Sequence, residues 1–114
     1  MAWTVLLHDD FNSEAKAFPE EVREQIVSMI DLLEQFGPHL KRPHCDTLKG
    51  SKHANMKELR FDAANGVWRI AFAFDRQRQA VLLVGGDKSG TSQRKFYKDL
   101  IRAADRRFDD WLGE

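Results

Sequence analysis

The chain has 114 residues and a mass of 13.2 kDa, with 42% hydrophobic and 32% charged residues and a formal net charge of zero. That length fits one domain over residues 1–114 with a modest core, and no apolar run approaches the ~20 residues of a membrane helix. A lone cysteine, Cys45, excludes an internal disulfide, and the first residues lack a basic region followed by an apolar stretch; a reducing cytoplasm, away from membranes, is the expected location.

Trp3 to His8 reads as a first strand, apolar enough to lie inside a sheet. Asp9 or Asp10 can cap a short helix reaching about Phe18, since their side chains accept bonds from the first free amides. Pro19 interrupts that helix and suits the first turn of the next, where Glu20 and Glu21 sit favourably on the dipole. Val22, Ile26, Met29, Ile30, Leu33 and Phe36 then recur with a 3.6-residue period until Gly37-Pro38 stops the helix. The two helices are expected to form a hairpin on the sheet. Residues 38–55 read as loop, with a short extended piece near Thr47-Leu48.

Residues 56–88 carry the uninterrupted β signal and read as three antiparallel strands. Asn65-Gly66 is the strongest hairpin signal, because both residues tolerate the positive φ of a type I′ turn. Pairing Ala64 with Val67 sets Phe61 opposite Ile70 and Leu59 opposite Phe72. A wider turn pairs Asp62 with Val67. Either register puts Glu58, Arg60 and Asp62 on the face of Arg69 and Ala71, because side chains alternate with a period of two. Two arginines are costly in a core, so this face is expected to open to water or to an anionic ligand. Pairing Phe74 with Val81 brings Lys88 to the same face, and Gly85-Gly86 leaves bare backbone beside it. Ser89 to Ser92 is a turn, with Thr91 or Ser92 capping a final helix over about Gln93–Leu112. Phe96, Leu100, Ala103, Ala104, Phe108 and Trp111 form its packing stripe, and Arg94, Lys95, Lys98, Arg102, Arg106 and Arg107 decorate it.

These elements make an α+β fold with a mostly antiparallel four-stranded sheet, an N-terminal helical hairpin and a C-terminal helix. The first strand joins beside either the last strand or the middle one. Charge is unevenly spread. Residues 1–37 hold two basic and eight acidic side chains, residues 38–107 hold sixteen and seven, and the last seven residues add three acids. The balances of −6, +9 and −3 point to a basic sheet and C-terminal helix facing a polyanion. His39, His44, Cys45 and His53 match no zinc spacing, so no metal is expected.

Leu48–Gly50 (LKG), then MKELRF, GVWRIAFAFD, AVLLVGGDKSG and RKFY, in that order and spacing, resemble the RelE/ParE superfamily of bacterial toxins. The likeness is nearest to the phage-derived HigB-like branch. It implies a RelE-like α+β toxin of a type II toxin–antitoxin system that cuts messenger RNA on the ribosome, without cofactor or metal. It also implies a cognate antitoxin, often a helix-turn-helix protein. Carried onto this chain, it makes Arg60, Arg69, Lys88 and Tyr97 the catalytic candidates. Lys49, Lys52 and Lys57 fall where relatives bind or activate RNA, and Arg94 and Lys95 join them as RNA-binding candidates.

The chemistry is consistent with that assignment. RNA is cut without metal when a base takes the 2′-OH proton, cations stabilise the phosphorane and an acid protonates the leaving oxygen. Arg60 and Arg69 offer forked donors for phosphate, Lys88 a charge or an acid, and Tyr97 a ring that stacks on a base. The base is left open between Asp46, Glu58 and a lysine. Two other functions share these elements: a ParE-like gyrase-binding toxin that cuts nothing, and a non-toxic adaptor that holds a helical partner.

Overall fold

The computed structural model describes residues 2–113, and the elements run β1 (Val5–Leu7), α1 (Asp9–Ala15), α2 (Glu20–Phe36), β2 (Cys45–Thr47), β3 (Lys57–Ala63), β4 (Gly66–Phe74), β5 (Ala80–Asp87) and α3 (Gln93–Leu112). The strands form one sheet in the order β1-β5-β4-β3-β2. The sheet therefore has five strands and mixed orientation, where four mostly antiparallel strands were expected. The fifth strand, β2, lies in the proline- and histidine-rich segment and has three residues, too few for a readable alternation. It exists by pairing with β3, Cys45 against Leu59 and Thr47 against Lys57. The first strand lies beside the last and runs parallel to it, Val5 with Ala80 and Leu7 with Leu82.

Helices cover both sheet faces. On one face α1 and α2 bury Phe11, Val22, Ile26, Met29 and Leu33 against Leu59, Ile70, Phe72 and Leu82. On the other, α3 buries Leu100, Ala104 and Phe108 against Ala71, Ala73, Val81 and Leu83. Phe36 is 49% exposed although it fits the apolar period, because the helix ends there. Gly37 then turns the chain at φ 53°, and a Cβ on it would fall 2.5 Å from the Trp3 ring. α1 is capped by His8, not by an aspartate: its Nδ1 accepts from the Asp10 amide at 3.1 Å. Ser92 caps α3 through the Lys95 amide. Among the described residues no helix is long and apolar enough to cross a membrane.

The β3–β4 hairpin takes the wider register, Asp62 with Val67 and Ala63 with Gly66. The positive-φ pair is then Ala64 and Asn65, at 51° and 61°, and Gly66 joins the strand. Gly66 is needed there because the Asp87 carboxylate fills the space of a side chain, with Oδ2 2.5 Å from where a Cβ would be. That carboxylate accepts from the Val67 amide at 3.0 Å, and Glu21 of α2 accepts from the Ala64 amide at 2.8 Å. Tertiary acceptors thus move the turn one residue back. Between β4 and β5 the expected pairing holds beyond Ala71, where Arg69 faces Gly86. Across an irregularity at Ala71/Phe72 it slips by one, so Phe74 faces Ala80 and not Val81.

Arg107 is buried, not a surface decoration. β1 covers only the first residues of β5, and Arg107 donates to the Leu83 carbonyl beyond it at 2.8 Å and to Glu14 of α1 at 2.6 and 2.8 Å. Arg107→Met should cost about 1–3 kcal/mol, the penalty of an unpaired buried carbonyl, read as a lower denaturant midpoint at unchanged slope. The Arg107 bond also holds the Glu14 carboxyl below its ordinary value of 4.5. A depressed carboxylate stabilises fully above its unfolded value and loses that contribution as pH falls through the folded one. Acid should therefore weaken the wild type below its ordinary carboxyl range, and Glu14→Gln should flatten that part of the curve.

Candidate functional site

Strand alternation and the observed register set Arg60 directly opposite Arg69, with Glu58 opposite Ala71, all on the α3 face. β2 adds Asp46 opposite Glu58. Tyr97, one turn into α3, reaches down onto this group. Glu58 is 4% exposed and is the centre of the cluster. Its Oε2 accepts from Arg60 Nη1 at 2.6 Å and its Oε1 accepts from the Tyr97 hydroxyl at 2.8 Å. Arg69 Nε donates to the same hydroxyl at 3.3 Å and lies 3.8 Å from Oε1, while its Nη1 donates to the Trp68 carbonyl. Lys88 Nζ sits 5.9 Å above the Tyr97 ring and donates to Gln93 at 3.3 Å.

The electrostatics follow from that crowding. Partial desolvation, then the charges of Arg69 and Arg60, push the Lys88 ammonium below the ordinary lysine value. Burial and the bond to Glu58 push the Tyr97 hydroxyl up, so it stays protonated and able to donate. The Asp46 carboxyl is held low by two bonds from Arg42, at 2.7 and 3.0 Å, and by the Thr47 amide.

Arg60, Arg69, Lys88 and Tyr97, singled out from the sequence, do come together. The face does not open freely to water: α3 covers it, and Arg69 is 5% exposed because its guanidinium is spent on Tyr97, Trp68 and Glu58. Gly85 and Gly86 are not bare either. Ile70 and Phe11 pack over the first and Phe96 over the second. The other basic candidates lie elsewhere. Lys57 points to the α1/α2 face with Leu59 and Phe61, and Lys49 is exposed on the loop before β3. Lys52 is paired to Asp109 near the far end of α3. Arg94 and Lys95 are exposed on α3, Lys95 bonded to Asp99 at 2.7 Å.

One contributor escaped the sequence. His44 lies with Pro43 beside a shallow groove of about 360 Å³ that also exposes edges of Arg60, Asp62 and Arg69. Its backbone carbonyl accepts from the Arg60 amide at 2.8 Å, an extension of the β2–β3 pairing that no local pattern announces. Elsewhere in the loop, His53 bonds Asp109 at 2.8 Å, His39 is exposed, and Cys45 is buried, its thiol pushed up to about 11 by desolvation. Among the described residues no group of His, Cys, Asp and Glu is placed to hold a metal ion.

Residues 13–109 match the family described as phage-derived protein Gp49-like (DUF891). The chain belongs to that Gp49-like family. Over 97 residues it is 46% identical to a protein of Mycobacterium tuberculosis named as a toxin, HigB3, covering 85% of this chain and 82% of that one. It is 42% identical over 95 residues to a second, HigB2, covering 82% of this chain but 47% of that longer protein. The fold matches the E. coli toxin RelE in its free state with a TM-score of 0.63 at 12% identity, over 90% and 96% of the two chains. It matches the archaeal RelE of a RelE–RelB complex from Pyrococcus horikoshii with a TM-score of 0.57 at 16% identity, over 80% and 100%. The resemblance to the HigB-like branch of the RelE/ParE superfamily, read from the strand motifs, therefore holds.

Burial revises what Arg69 does. Removing it takes a donor from the Tyr97 hydroxyl and from the Trp68 carbonyl, while Glu58 keeps Arg60 and Tyr97, so Arg69→Ala should cost about 1–3 kcal/mol, the penalty of buried acceptors left short of a donor. Arg60→Ala should cost more, about 3–5 kcal/mol, since it removes the charged donor 2.6 Å from a carboxylate that is 4% exposed. Urea melts of the two variants in parallel check the order, and equal losses would contradict the burial argument.

Proposed function

We propose that this Gp49-like protein is the toxin of a type II toxin–antitoxin pair and cuts messenger RNA by metal-independent transesterification. In this reading residues 1–114 act as one domain in the cytoplasm, on ribosome-bound message, and a cognate antitoxin of helix-turn-helix type neutralises it. Support comes from the HigB relatives and from one observation above all. Arg60, Tyr97 and, more distantly, Arg69 gather around a single buried carboxylate, Lys88 lies over the Tyr97 ring, and Arg60 and Arg69 also line a shallow groove.

The chemistry divides as follows. Arg60 turns from Glu58 to the scissile phosphate, for which its planar fork is suited. Glu58, relieved of that partner, takes the 2′-OH proton. Asp46 is the weaker base because Arg42 holds its carboxyl low. The 2′-oxygen bonds to phosphorus, the bond from phosphorus to the 5′-oxygen breaks, and the Lys88 ammonium gives that oxygen its proton. The products are a 2′,3′-cyclic phosphate and a 5′-hydroxyl. Arg69 and Tyr97 hold Glu58 in place, and the ring of Tyr97 stacks a base.

Expression of the chain alone should arrest growth and leave coding-frame RNA ends, seen by mapping RNA 5′ ends. Arrest with intact RNA and altered DNA supercoiling would replace this reading with gyrase inhibition. Arg60→Ala and Lys88→Met should each lower the cleavage rate about 10²–10³-fold, the scale for losing one donor to transition-state charge. With Lys88 as acid, the rate falls as pH rises through its lowered pKa. The alkaline limb should therefore lie below that of an ordinary lysine, and Lys88→Arg should move it upward.

A further inference from the structure

We propose that the outer face of α3 is a docking surface for the phosphate backbone of double-helical nucleic acid, separate from the Glu58 cluster. Arg94, Lys98, Arg102 and Arg106 recur every four residues and all are exposed. Each step advances ~6 Å and turns ~40°, so the four make a ridge about 18 Å long that winds gently around the helix. It lies diametrically opposite Leu100, Ala104 and Phe108, which pack on the sheet. Among the described residues none of the four has a hydrogen-bond or ion-pair partner, whereas Lys95 is held by Asp99. Of the acids on this side, Asp105 and Asp109 are occupied by Ser51, Lys52 and His53 of the loop before β3, and Asp99, bonded to Lys95, lies near Lys98 and Arg102.

The ridge's chemistry selects its occupant. A membrane would need the apolar side of α3 free to insert, and that side is buried. A protein partner needs an apolar or aromatic anchor at its centre, and the exposed face has none. Single-stranded RNA is held by aromatic stacking, also absent here. A second copy could offer the acidic outer side of α2, with Glu20, Glu24 and Asp31 exposed. Such a contact joins unlike patches and does not close on itself. A duplex presents one phosphate charge per ~1.7 Å, on the order of ten charges along the ridge. The surface requires only regular positive charge, which the ridge supplies.

The test is direct binding, so its outcome does not depend on cleavage. The full chain should bind a blunt mixed-sequence DNA duplex of roughly 20 base pairs with an affinity that falls log-linearly with salt. Replacing Arg94, Lys98, Arg102 and Arg106 together with Gln should reduce that slope by about 3.6, at ~0.9 per phosphate contact. Replacing the three arginines with Lys should leave it unchanged. A wild-type slope shallower than ~2 overturns the proposal, even if the Gln variant folds poorly. So does a slope that the Gln variant retains, or one that the Lys variant loses. Self-association of the wild type that the Gln variant abolishes, without duplex binding, assigns the ridge to a second copy instead.

Discussion

The charge on Glu58 is the constraint on which the site depends. A carboxylate that is 4% exposed must be matched by donors or it drives the chain open. Its donors come from three elements: Arg60 beside it on β3, Tyr97 on α3 and, more distantly, Arg69 on β4. Satisfying one acid therefore fixes how α3 lies on the sheet and which end of it meets the hairpin. It also concentrates three cationic side chains and a protonated phenol at one place. The same contacts serve stability and chemistry, so their effects on the two must be measured separately.

α3 organises the remainder. Its apolar side covers the sheet, and Arg107 seals the part of β5 that β1 leaves uncovered. Asp105 and Asp109 anchor the loop before β3 through Ser51, Lys52 and His53. That loop holds Lys52 against Asp109 of α3, away from Arg60 and Arg69. The basic excess of residues 38–107 is thus split between a compact cluster at the sheet and a ridge on the helix.

Likeness of fold carries less weight than these particulars. At 12% and 16% identity the RelE structures share an architecture with this chain, and one architecture hosts unrelated activities. The Gp49-like match over residues 13–109 and the 46% identity to HigB3 carry the family membership. The chemistry has to be argued from Glu58, Arg60, Lys88 and Tyr97 themselves.

Local periodicity alone determined α2, α3 with a cap at Thr91 or Ser92, the three central strands and the shared face of Arg60 and Arg69. Each depends on neighbours within a turn or a hairpin, which is why each is legible in the sequence. Tertiary structure decided what depends on distant partners. It gave three-residue β2 a strand to pair with, set β1 parallel to β5, and drew the turn back to Ala64-Asn65 through Glu21 and Asp87. It buried Arg69 and Arg107, which have the same local pattern as exposed arginines. It also made Glu58 the hub of the cluster when the sequence left it level with Asp46. The difference is physical: alternation tells which face a charge occupies, but only packing brings the opposite charge that lets it stay there.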